Sequence, residues 1–109
     1  AYNNLEVQKK FLILNGVDED QINIIDYDKG NLPMLKFDVI TSLFSLDYHY
    51  DFDLYIDYLR KVSKPNTKII FDTIRADHFR KIFKNVETIL SKTDTVHKSK
   101  RILCSEFLN

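Results

Sequence analysis

Asp47, Tyr48, His49 and Tyr50 put a carboxylate, an imidazole and two phenols within four consecutive residues. Histidine titrates near neutrality and suits a general base, which takes a proton from a reacting group. Asp47, two residues away, can orient that ring or share the proton. Tyr48 and Tyr50 offer flat faces for packing or for stacking on a substrate. The plainer alternative is a histidine that caps the helix expected to begin near Asp51. The polar cluster follows a near-continuous apolar run over residues 37–44, interrupted only by Asp38, Thr41 and Ser42. A strand this apolar is expected to be covered on both faces, as in a parallel sheet. Ligands of open α/β sheets sit just beyond the carboxyl ends of such strands. The cluster therefore falls where chemistry is expected.

The remaining reactive side chains form no comparable group. His49, His78 and His97 lack the close spacing of metal ligands. Lys92, Lys98, Lys100 and Arg101 read as a solvated loop, with phosphate or nucleic acid as the alternative partner. Cys104 sits in an alternating apolar segment and reads as core. Ser42 and Ser45 lack the glycines that a nucleophile elbow requires.

Composition narrows the class further. The chain has 109 residues, enough for one domain, with 16 basic and 16 acidic side chains in balance. No bulk positive field exists to hold nucleic acid. No apolar run reaches the roughly 18–20 residues that span a bilayer. A single cysteine excludes an internal disulfide and fits a cytoplasmic, reducing location. Only two glycines occur, where average usage of about 7% predicts about seven or eight. Phosphate-cradling loops are built from glycine. A nucleotide-like ligand would then need a glycine-rich segment upstream of Ala1, and an incomplete domain is the expectation.

The elements that must position the cluster follow from periodicity. Residues 3–15 read as a helix, with Leu5, Val7, Phe11, Leu12 and Leu14 on its apolar face, Asn3 as cap and Gly16 as stop. Residues 22–25 read as a short β-branched strand and 26–36 as a loop. Residues 51–63 form the next helix, capped by Asp51 or Asp53, with Phe52, Tyr55, Ile56, Leu59 and Val62 as its buried stripe. Residues 64–67 read as a tight turn, 68–73 as a second strand and 76–85 as a short helix. Alternation at Val86, Thr88 and Leu90, and at Ile102 and Cys104, predicts an antiparallel hairpin. Strands alternating with helices imply right-handed crossovers and a mostly parallel sheet.

This order, with two stretches of sequence, resembles the class I S-adenosylmethionine-dependent methyltransferases. The stretches are Phe37-Asp38-Val39-Ile40-Thr41-Ser42 and the segment from Leu59 through Lys64-Pro65-Asn66-Thr67 to Ile70. In the second, Asn66 and Thr67 stand where the family has two glycines. The words around Phe44-Ser45 and His49-Tyr50 resemble a subgroup associated with sugar methylation. The resemblance spans residues 5–107. It implies a partial Rossmann-like, doubly wound, mostly parallel sheet ending in an antiparallel hairpin. It also implies S-adenosylmethionine as cofactor and a small polar acceptor such as a sugar.

Site residues carry over from that resemblance by position. Asp26, after the first expected strand, would accept from the adenine amine, and Tyr27 would stack on the ring edge; both also read as a solvated loop. Ser42, Leu43 and Phe44 would line the cofactor pocket, or be plain core. His49 would remove the acceptor hydroxyl proton with help from Asp47, and Tyr48 and Tyr50 would touch the acceptor. The family's glycine-rich first strand and loop have no counterpart here, so the fragment alone is expected to bind cofactor poorly. A different class remains open: a non-catalytic α/β module that binds a protein partner, or a second copy of itself, through an uncovered sheet edge or helix face.

Overall fold

The computed structural model describes residues 5–25, 32–43, 45–48, 50–91 and 98–108. The chain divides into two compact units, Ala1–Pro33 and Met34–Asn109.

In the first unit, helix α1 spans Leu5–Leu14. Its end follows the sequence closely. Gly16 sits at φ 94°, a conformation that side chains resist. Val17 N donates to Leu12 O and Gly16 N to Ile13 O, both at 3.1 Å. These two bonds are the Schellman pattern that satisfies the last carbonyls of a helix. One turn of 3-10 helix follows at Glu19–Gln21, and Lys9 pairs with Glu19 at 3.2 Å. Two expectations fail here. None of α1's residues is buried, although its sequence carries a broad apolar face. Residues 22–25 form no strand. Four β-branched or polar residues gain strand geometry only from a pairing partner, and none pairs with them.

The second unit holds strand β1 (Phe37–Ser42), a 3-10 turn (Phe52–Leu54), helix α2 (Ile56–Lys61), strand β2 (Ser63–Thr73), helix α3 (Ala76–Phe79), and strands β3 (Phe83–Ser91) and β4 (Lys100–Phe107). Their order across the sheet is β1-β2-β4-β3. The doubly wound, mostly parallel sheet is therefore not what forms. Among the described strands only β1 and β2 pair in parallel; β4 is antiparallel to both β2 and β3. The reason is where the last strand goes. It enters beside β2 and matches Ile69 with Cys104 and Phe71 with Ile102. β1, expected in mid-sheet with both faces covered, lies at the border among the described strands. Val39 in it is 55% exposed.

Other boundaries shift for local reasons. The helix expected over 51–63 breaks into the 3-10 turn and α2. Asp51 caps the turn, accepting from Asp53 N at 3.0 Å. The tight turn at 64–67 is absorbed into β2. Between Phe37 and Val39 the partner register jumps from Ser63 to Lys68, and Thr67 Oγ1 closes the excursion by accepting from Lys64 N at 2.7 Å. Such a bulge lets a proline stay in a strand. The helix expected over 76–85 keeps one turn, because Phe83 already begins β3 opposite Phe107.

The core lies on one face of the sheet. Phe52 meets Phe71 in a stacked pair at 5.0 Å and Phe79 edge-on at 4.9 Å, with Phe83 at 6.1 Å. Leu59, Ile69, Ile102 and Cys104 complete the cluster. Burying each of these side chains contributes roughly 1.5–3 kcal/mol, and each ring pair about 0.5–1.5 kcal/mol beyond that. The helical segments and the inward side chains of β2 and β4 are thus held as one body, which fixes the ends of β1 and β2.

Candidate functional site

β1 and β2 run in parallel, so their carboxyl ends meet at the same edge. Ser42 ends one and Thr73 the other. Beyond Ser42 the chain folds tightly on itself. Leu46 N donates to Ser42 Oγ at 3.0 Å, Tyr48 N and Tyr50 N both donate to Ser45 O at 3.1 Å, and Asp47 N donates to Tyr50 O at 2.6 Å. Asp47 takes φ 63°, a left-handed conformation that aspartate tolerates better than most residues.

That backbone aims the Asp47 carboxylate inward, where the side chain is 2% exposed. Thr73 Oγ1 donates to Asp47 Oδ2 at 2.6 Å. Arg75 Nε reaches Asp47 Oδ1 at 3.1 Å, and its Nη2 donates to the same oxygen. Arg75 N in turn donates to Thr73 Oγ1 at 3.0 Å. The threonine hydroxyl thus accepts from one partner and donates to the other. The hydrogen bond that Arg75 donates to Asp47 holds the Arg75 pKa above its ordinary value; burial opposes the shift, and Asp53 and Asp51 add to it. The Arg75 guanidinium also lies 5.3 Å over the Phe79 ring, which ties the site to the core.

Beside this network is a cavity of about 210 Å³, lined by Ile74, Arg75, Ala76, Asp77, His78, Lys98 and Lys100. It belongs to the same edge of the sheet, since Lys100 opens β4 directly opposite Thr73.

The candidate residues fare unequally. Asp47 is at the centre of the network, but its carboxylate is engaged by Thr73 and Arg75, which fits a positioning group better than a free base. Ser42 is half-buried and braces the loop. Leu43 is exposed and is not among the residues that line this cavity. Tyr48 is half-buried and Tyr50 is 49% exposed. Asp26, Tyr27, Phe44 and His49 lie outside the described residues. Cys104 is fully buried, and burial pushes its thiol up to about 12, with Arg80 acting weakly the other way. It stays protonated, so it is core and not nucleophile.

Thr73 and Arg75 carry no motif in the sequence, and His78 was weighed there only as a metal ligand. A signal for them existed: parallel neighbours end side by side, so the polar residues after Phe71 had to face those after Ser42. Among the described residues, no three His, Cys, Asp or Glu side chains gather to hold a metal. No described helix is long and apolar enough to cross a membrane. No family model, no curated protein and no solved structure matches this chain.

Proposed function

We propose that this chain contributes the acceptor-facing part of an S-adenosylmethionine-dependent O-methyltransferase, acting on a small polar acceptor such as a sugar. One observation carries the reading: the parallel β1–β2 pair ends at a preorganised polar network of Asp47, Thr73 and Arg75. His49 takes the acceptor's hydroxyl proton as the oxygen attacks the methyl carbon; the carbon–sulfur bond breaks and the donor leaves as a thioether. Asp47 positions the loop that carries His49. Holding donor and acceptor in line is the larger part of the rate gain.

The test is transfer of labelled methyl from S-adenosylmethionine to a panel of sugars, by this chain and by the chain with whatever its gene encodes before Ala1. Transfer by the longer form, reduced about 100-fold or more by His49→Ala, supports the reading. Calorimetry that finds no cofactor binding by either form overturns it. A second reading, a partner-binding module, is favoured by β1 pairing on one side only among the described strands. It expects self-association in light scattering, abolished by a proline at Val39.

A further inference from the structure

The cavity beside the Asp47 network has an electrostatic character that methyl transfer does not use. We propose that it is a binding site for a phosphate group, free or carried by a small metabolite. Lys98, Lys100, Arg75 and His78 line it, against one carboxylate, Asp77. That carboxylate is turned to solvent and paired with Arg80 at 3.4 Å. Arg75 is matched by Asp47 and, at 3.6 Å, by Asp51, yet its Nη1 makes no hydrogen bond among the described residues. Lys98 and Lys100 form no ion pair among the described residues. His78 supplies the most telling group: its Nε2 is buried and has no hydrogen-bond partner there. Buried polar atoms are nearly always satisfied, so an unpartnered one beside a cavity points to a ligand.

Size and charge choose the class. Pockets for drug-sized ligands run to roughly 300–1,000 Å³, so a cavity of about 210 Å³ takes a charged group and a few attached atoms, not a nucleotide. Two lysines with no ion pair among the described residues, with an imidazole nitrogen and guanidinium N–H groups beside them, suit a tetrahedral dianion better than a single carboxylate. The register holds the arrangement. Lys100 sits opposite Thr73, and Arg75 and His78 follow within five residues on the same edge.

The site does not depend on the methyltransferase reading, and either can fail alone. The test is a nitrogen-15 amide NMR titration of the 109-residue chain with inorganic phosphate, glucose 6-phosphate, glucose, and sodium chloride at matched ionic strength. Saturable shifts at residues 74–78, 99 and 100 with both phosphates, and none with glucose or chloride, are expected. Tighter binding of glucose 6-phosphate assigns the site to a metabolite; equal binding assigns it to the free anion. The double variant Lys98→Glu, Lys100→Glu should weaken binding at least about tenfold. His78→Ala, which leaves both lysines in place, should weaken it as well. No saturable shift, or shifts unchanged in both variants with the fold intact, overturns the proposal.

Discussion

The two faces of the four-stranded sheet are built on different physics. One face carries Ile69, Phe71, Ile102 and Cys104 under the rings of Phe52, Phe79 and Phe83, and every one of these is at most 1% exposed. The other carries the residues between them: Val39, Ile70, Leu103 and Leu90, exposed or half-buried. Its most buried feature is an ion pair across β2 and β4, with Arg101 Nε at 3.0 Å and Nη2 at 3.3 Å from the two Asp72 oxygens. Dispersion and area removed from water hold the first face. A charge pair whose aspartate is 3% exposed organises the second. The first is a completed core; the second has the makings of one but only partial cover. Stability should therefore be concentrated on one side of a sheet only four strands wide.

Truncating the packed face should cost most. Phe52→Ala removes a ring that touches three others, and is expected to lower unfolding stability by about 3–5 kcal/mol, read from the urea midpoint. If the loss is below about 1 kcal/mol, the aromatic cluster is not the core. On the second face the largest effect belongs to the ion pair. Asp72→Asn takes this opposing carboxylate from the Arg101 guanidinium and should cost on the order of 2–4 kcal/mol, whereas Asp72→Leu with Arg101→Leu should cost less than the single change. A double variant as unstable as the single one would mean that the pair adds stability outright. Val39→Thr exchanges an exposed methyl for a hydroxyl and should move stability by no more than about 0.5 kcal/mol. A larger loss would show that Val39 is covered in solution.

The smallest effect is a pH dependence at the sheet border. Lys64, by hydrogen bond and by charge, holds the Asp38 carboxyl below its ordinary 3.8. A carboxyl lowered on folding contributes stability that is present above its unfolded pKa and is lost as pH falls through the folded one. Asp38→Asn should therefore lower neutral stability slightly and flatten the acid limb below about pH 3.8 by the same small amount, so that the two proteins converge in acid. Equal acid limbs in both proteins would remove the pair from the account.

Much of the local structure was legible. The stop at Gly16, the strand from Phe37, the stripe of Phe52, Leu59 and Val62, and the alternating hairpin strands all follow from residue type and spacing. The candidate site was legible in half. Asp47 stood out beside its polar neighbours, but Arg75 is 28 residues away and no periodicity joins them. Ile22, Ile24 and Ile25 misled because β-branched residues favour a strand only where a partner strand exists. The family resemblance misled about the sheet, because alternation of strands and helices does not say which strand the last one joins.

Residue order by itself determined where the chain can be helical or extended, and which side of each element is apolar, because those depend on neighbours three or four positions away. Only the tertiary structure decided that β4 lies between β2 and β3, that β1 stands at the border, and that Asp47 is met by Thr73 and Arg75. Those outcomes depend on contacts between distant segments, where competing pairings differ by small free energies and burial makes the choice.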